Sequence, residues 1–449
     1  MAGGTWLDMN KVVPGVYINT RSEGGLAPVA SDRGVVAICK ALSWGKVETV
    51  QEYIPGDDPT PIIGSGIMSD DALFLREMCK GTDTTPAPRK ILIYRPEGTS
   101  GVKATATVGA LTADAKYIGT RGNDLTLVIT ADPDNVGYYD IITVLDGDIV
   151  DSQYVDDLYN LVANAWVDFT GTGTTITTTA GTALTGGVDP TITAQDHADF
   201  MTAIEPYTFD IVCYDGSDAA TALAYTGFAR RMSEVIGRKC QTVMGGAAAQ
   251  NSEYAINAIN GVTLSDGTNI SANQVSWWLA GAEAACPYNK SLTYAQYPGA
   301  VSAYPKKTDA EVEAAVRGGN IVFIDEFETT KVCKDINTLT SFTAEKHQEY
   351  SKNRVIRVLF AFCNDAYKNF SLYYLGKTDN NETGRALFRA WAIGYLLQMQ
   401  ANNGVQQFTA DDVIVTPGNT SDSIYLEASI MPVDSVEIVY AKVNVRAIA

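Results

Sequence analysis

Phe209-Asp210-Ile211-Val212-Cys213-Tyr214-Asp215 decides the fold: a short apolar run, β-branched at its centre and closed by a carboxylate. It is followed by Ala220 to Gly237, amphipathic at helical spacing and ending in glycine, and then by a second apolar run, Gln241 to Met244. A buried strand, a helix and another buried strand imply parallel pairing, because a crossover helix returns the chain to the same end of the sheet. Working outward, Thr308-Asp309-Ala310-Glu311 is a capping box that predicts a helix stopping at Gly318-Gly319, with a strand Ile321 to Ile324 after it. Upstream, Gly34 to Ala37 and Ile91 to Tyr94 read as short buried strands around a helix from Asp70 to Met78. The expectation is a largely parallel sheet covered on both faces.

Between Gly98 and Pro190 the texture changes. Thr, Gly and Asp rise, and alternating runs at Leu125 to Thr130, Tyr138 to Leu145 and Thr174 to Thr179 predict an all-β insert of sandwich type, interrupted by one helical stretch, Val155 to Val167. The insert holds twelve Asp and no Glu against Lys103, Lys116 and Arg121, a net charge of −9. Such a domain is expected to project into solvent. The last third carries two long helical patterns, Thr343 to Asn364 and Arg385 to Ala401, and ends in predicted strands Ser423 to Ile430 and Ser435 to Arg446. With Val12 to Ile18 at the other end, both termini read as strands without an obvious partner in the chain, and such edges invite strand addition from another subunit.

Composition narrows the function. The chain has 449 residues, with 52 acidic and 33 basic ones and a formal net charge of −19. That charge repels nucleic acid and anionic lipid. No window suits a membrane span and the start lacks a secretory pattern, so a cytoplasmic origin is expected. Seven cysteines without a C-x-x-C pair read as reduced core thiols, and two histidines leave little imidazole for metal or acid–base chemistry; no cofactor or metal is expected. A rival reading is a hydrolase using His197 with Asp199 or Asp215, but no G-x-S-x-G elbow follows a strand, and no phosphate-binding G-x-x-x-x-G-K motif occurs. His347 lies in a charged stretch, Glu345 to Glu349. Against the overall charge, Lys331 to Arg357 is net +3; a solvated helix face explains this, and the sharper reading is docking of an acidic partner through Lys346, Lys352, Arg354 and Arg357.

Four stretches then carry a resemblance. Lys334-Asp335-Ile336-Asn337-Thr338-Leu339-Thr340-Ser341-Phe342, Lys352-Asn353-Arg354-Val355-Ile356-Arg357-Val358-Leu359, Tyr374-Leu375-Gly376-Lys377 with Gly384-Arg385, and Pro432-Val433-Asp434-Ser435-Val436-Glu437 closely resemble the contractile tail sheath family of bacteriophages and phage-tail-like bacteriocins. Pro14-Gly15-Val16-Tyr17-Ile18 resembles its opening.

The resemblance implies a multidomain α+β and α/β protein: an N-terminal arm over 1–21; a core α/β part over 22–97; a protruding β-sandwich over 98–190; an α/β domain over 191–335, subtilisin-like in fold without a triad; a C-terminal domain over 336–434 facing the tube; and an arm strand over 435–449. It implies a structural role, not an enzyme: stacked hexameric rings around a tail tube that contract to drive the tube through a cell envelope. The implied partners are other copies of the chain, the tube protein, and baseplate and terminator proteins, without nucleic acid or direct membrane insertion. The implied setting is assembly in a bacterial host and release within a particle. Strand exchange between subunits would use Val12, Val13, Val16, Tyr17 and Ile18 at one end and Val436, Ile438, Val439, Tyr440, Val443 and Val445 at the other. Another tail component, tube or baseplate, is the alternative within the structural class.

Overall fold

The computed structural model describes residues 33–248 and 250–444, together with the backbone of residues 3–4 and 16–17. Val12, Val13, Ile18 and Val445 lie outside the described residues. The chain divides into two compact units, one of residues 31–364 with 433–449, the other of residues 1–30 with 365–432.

The larger unit is built on a six-stranded sheet in the order Ala255–Ala258, Gln241–Gly245, Ile211–Tyr214, Val35–Cys39, Lys90–Tyr94, Val50–Tyr53, parallel except for the antiparallel last strand at one edge. Each central strand sends alternate side chains to opposite faces. Val36, Ile38, Ile91, Ile93, Ile211 and Cys213 join one core, while Val35, Ala37, Leu92, Tyr94, Val212 and Tyr214 join another. Both faces therefore need a cover, which is why these strands are apolar throughout. Helices Leu73–Met78 and Ala272–Ala285 pack on the first core. Helices Ala194–Ile204 and Ala219–Arg231 cover the second, together with Ile356 and Phe360 of the helix Asn353–Asn369. The capping box at Thr308 forms as expected and opens Asp309–Arg317, but the strand after it is shifted to Phe323–Glu326, paired with Thr329–Val332.

Residues 105–183 form two antiparallel sheets over one shared core. One has the order Asp148–Val155, Tyr139–Leu145, Leu125–Ala131, Thr179–Ala183; the other has Val167–Gly171, Leu111–Ala115, Thr105–Val108. The helix expected at Val155 to Val167 is absent, and only a 3-10 turn, Leu158–Asn160, occurs there. Asp157 accepts from Tyr159 N, and Asn164 accepts from the backbone of Trp166 and Val167, so short polar side chains capture the donors that a helix would use.

Three features join this sandwich to the parallel sheet. Arg95, fully buried at the end of its strand, donates to the carbonyls of Leu42 (2.9 Å), Gly45 (2.5 Å) and Ile118 (2.7 Å). Trp44 leaves the sheet side to pack in the sandwich core against Tyr117 and Trp166. Gly119, at φ +123°, lets the backbone pass so close to Ser43 that a Cβ would stand 2.1 Å from its carbonyl oxygen.

The smaller unit contains the helix Glu382–Ala401, capped by Asn381, and the hairpin Val413–Pro417 with Ile424–Ala428. Arg389 ties them by donating to Val413 O (2.8 Å) and Ala410 O (2.5 Å). Gly3–Gly4 pairs in parallel with Val16–Tyr17, so part of the N-terminal stretch read as partnerless has a short partner within the chain. The helix expected from Thr343 begins only at Asn353, after a 3-10 turn at Gln348–Ser351. Over the described part of the C-terminal strand expected at Ser435 to Arg446 no strand is formed: residues 433–444 have no regular secondary structure. Strict alternation makes a strand only where a ladder partner exists, and none of these residues has one here. All seven cysteines are free thiols, with Cys39, Cys213, Cys240 and Cys286 buried.

Candidate functional site

The start of helix Asn353–Asn369 is fixed from below by buried charge. Arg357, 1% exposed, donates one arm to Glu283 of helix Ala272–Ala285 and the other to Asp335 (2.6 Å) and to Lys290 O (2.9 Å). Asn353, one turn earlier on the same face, donates to Asp335 (2.8 Å) and Glu283 (3.2 Å). Asp335 also accepts from Leu292 N (2.9 Å). Burial first, and the nearby Asp335 second, push Glu283 well above the usual glutamate range. Burial works against the Asp335 charge too, yet Arg357 and the hydrogen bonds outweigh it and hold its carboxyl below the usual range. The Arg357–Asp335 ion pair is the kind of buried pair whose breaking by loss of one partner is costly, and with Glu283 it joins the start of this helix to helix Ala272–Ala285.

Above this network lies the C-terminal segment. Ile336 bridges Lys352 in antiparallel sense, which sets Lys352 and Lys334 side by side. Lys352 Nζ pairs with Glu437 and with Asp434 (3.0 Å), Lys334 lies 3.6 Å from Glu437, and Thr293 Oγ1 donates to Glu437 Oε1 (3.0 Å). Burial disfavours the Lys352 charge, but its bonds to Glu437 and Asp434 prevail and raise its pKa. The Glu437 side chain is only 10% exposed. Its apolar neighbours Val436, Ile438, Val439, Tyr440 and Val443 are 65 to 93% exposed, an inversion of ordinary burial. The segment is held by its acid and presents its apolar residues outward.

The basic residues expected to dock a partner are thus distributed unequally. Arg357 is corrected: it is an interior ion whose two terminal nitrogens are taken by Glu283, Asp335 and Lys290 O, while its buried Nε has no acceptor among the described residues, and it has no surface to offer. Lys352 is committed to the C-terminal segment. Lys346 pairs with Glu253 and lies 3.7 Å from Glu234. Arg354 is half-buried, its pKa lowered by that burial.

His197 Nδ1 shares a hydrogen bond with Tyr225 OH (2.9 Å) and packs edge-on against Tyr214. Asp199 is bonded by Gln195, and Asp215 by Lys40 (2.6 Å) and Trp277 Nε1 (2.9 Å), so the three are not brought into a relay. Asp215 and Lys40 follow adjacent parallel strands at the point where strand order reverses, the place where an open α/β sheet offers a crevice. Their ion pair, with the ammonium 4.5 Å from the Trp277 ring, spans it. Among the described residues no group of three or more His, Cys, Asp or Glu could hold a metal, and no described helix is long and apolar enough to cross a membrane.

Three domain families match the sequence: the phage tail sheath protein beta-sandwich domain over residues 99–189, its central domain over 191–338 and its C-terminal domain over 345–446. The sheath tail protein of Desulfitobacterium hafniense is 38% identical and superposes with a TM-score of 0.85, covering 96% of this chain and 100% of that one. The chain belongs to the phage tail sheath family. The phage-like element PBSX protein XkdK of Bacillus subtilis is 30% identical over 475 aligned positions, 99% of this chain and 100% of the relative. At 11% identity, the helical sheath of the anti-feeding prophage in its contracted state shares the fold, with a TM-score of 0.55 over 97% of this chain and 99% of that one. For a tail sheath protein the mixed α/β, multidomain architecture with several separate sheets is the expected one, and the family is a structural one.

Sequence reasoning missed Glu283, Thr293 and the pairing of Glu437 with Lys352 and Lys334. One signal was present: Glu437 is the lone acid in the apolar run Val436 to Tyr440.

Proposed function

We propose that this tail sheath protein is the repeating subunit of a contractile sleeve. Copies stack as hexameric rings around a tail tube, and the sleeve shortens and widens to drive the tube through the envelope of a target cell. The observation that carries this reading is the C-terminal segment, anchored through Glu437 while its apolar residues face outward without a ladder partner. A segment with these properties is completed by pairing with another copy, and Val436, Ile438, Val439, Tyr440, Val443 and Val445 are the proposed donated strand. Val12 to Ile18 is proposed as the matching arm at the other end.

The tube, baseplate and terminator proteins are the further proposed partners, with assembly in the bacterial host and release within the particle. Lys346 and Arg354 remain proposed contacts to the tube. The α/β core is proposed to be subtilisin-like in fold and to serve as scaffold; a parallel sheet with helices on both faces, and a His197 bonded to tyrosine, support that reading. Contraction needs no nucleotide if the extended state buries less surface. About 400 Å2 of additional apolar burial per subunit would release on the order of 10 kcal/mol. Negative-stain electron microscopy of the protein with its cognate tube tests the proposal: long narrow sleeves on tubes and short wide empty ones are expected, and discrete monomers at high concentration would refute it.

A further inference from the structure

The hairpin Phe323–Glu326 with Thr329–Val332 pairs Glu326 with Thr329, which leaves a two-residue turn, Phe327-Glu328. Both turn residues are left-handed, at φ +48° and +62°. This is the turn that two-residue hairpins prefer, but its usual sequence is Asn-Gly, and a bulky Phe there is strained. Phe327 is also 90% exposed, so the folded chain recovers nothing by burying it. Tyr294, beside the same hairpin, repeats both features, with φ +62° and about half of its surface exposed. Its hydroxyl donates to Glu326 (3.3 Å) and its N–H to Val332 O (2.8 Å). Lys331 lies between the two rings, its ammonium 5.8 Å from Phe327 and 5.7 Å from Tyr294. The result is two exposed aromatic side chains that share the Lys331 ammonium, with Glu326 beside them, the composition of an interface anchor.

We propose that this tip is a contact for a second copy of the chain. The occupant follows from position: Tyr294 is the direct neighbour of Thr293, whose hydroxyl holds Glu437. The tip therefore flanks the point where the C-terminal segment leaves its seat, and a copy that receives the segment meets Phe327 and Tyr294 beside it. The proposal rests on the self-assembly reading above and adds a second, side-chain contact to the exchanged backbone.

The test concentrates the purified full-length protein in steps and measures sedimenting polymer and melting temperature. It compares wild type with Phe327→Ala and with the double variant Phe327→Asn, Glu328→Gly. The double variant restores the preferred turn and is expected to melt at or above the wild-type temperature. Both variants are expected to need roughly tenfold more protein for half-maximal assembly. Unchanged assembly in both variants, or assembly lost only in step with a lowered melting temperature, overturns the proposal. If wild type itself never assembles, the self-assembly reading fails and this contact falls with it; if wild type assembles and the variants match it, the contact alone is refuted.

Discussion

Two regions of the larger unit are built on opposite terms. At the junction of sandwich and parallel sheet every strong group is used inside the chain: Arg95 spends its donors on three carbonyls, Trp44 is 2% exposed, and Gly119 allows backbone contact. At the seat of the C-terminal segment, Glu437 is paired with Lys352 and Lys334 while its apolar neighbours are left in water. The first region is finished by folding. The second is finished by a neighbour, and the difference separates what makes the subunit rigid from what makes it assemble.

The largest expected effect falls on the second region alone. Deleting Ser435 to Ala449 should abolish polymer formation, at concentrations about a hundredfold above those the full chain needs, while the truncated chain melts within a few degrees of it. Because the apolar residues described there, Val436, Ile438, Val439, Tyr440 and Val443, are exposed, removing them loses little burial. Sleeves formed by the truncated chain would break the comparison. Next comes Arg95→Ala, which orphans three carbonyls and opens a void; about 3–4 kcal/mol of stability should be lost in urea titration. Burial, only partly offset by the Asp189 charge, pushes this arginine down to about 10, well above neutrality, so the loss should not depend on pH between 5 and 8.

The buried pair under the seat, by contrast, makes stability depend on pH. Glu283, raised by burial and by Asp335, keeps a proton in the folded chain that the unfolded chain releases near the ordinary glutamate pKa. Stability contributed by that proton is present at low pH and falls as pH rises through the elevated pKa, by at most about 1.4 kcal/mol per pH unit. Asp335 acts in the reverse sense, with its contribution lost only in acid. Urea midpoints from pH 5 to 9 should therefore slope downward in wild type relative to Glu283→Gln; parallel curves would show that Glu283 does not titrate in the fold.

The contrast between the regions also explains what was legible in the sequence. Local signals reported local structure: the capping box at Thr308, the apolar run Ile211–Tyr214 and the helix ending at Ala401 are all present. Trp44 and Arg95 were silent, because the Trp44 partners Tyr117 and Trp166 lie in a domain that begins later in the chain, and the Arg95 acceptors Leu42, Gly45 and Ile118 are brought to it from both sides by the tertiary fold. Arg357 was counted with a basic surface, yet Glu283 lies 74 residues away and its pairing is decided by the tertiary fold. The alternation of Val439 to Val445 was read as a strand, but pleated spacing states which side chains share a face, not whether a neighbouring strand is there.

Glu437→Gln is the smallest change and asks whether the seat holds the segment. The amide keeps the shape and the acceptor for Thr293 but loses the charge facing Lys352 and Lys334. Lys352 retains Asp434, and these groups are partly solvated, so about 1 kcal/mol or less should be lost. Global melting should not move, since the lost contact joins only the segment to the unit. Opening of the segment should become about fivefold more frequent, read as faster chymotrypsin cleavage after Tyr440. The seat itself should persist, because Asn353 and Arg357 fix the start of the helix from the buried side whether or not Glu437 is charged. Cleavage at the wild-type rate would mean that the ion pairs do not hold the segment, and the seat would then be a resting place, not an anchor.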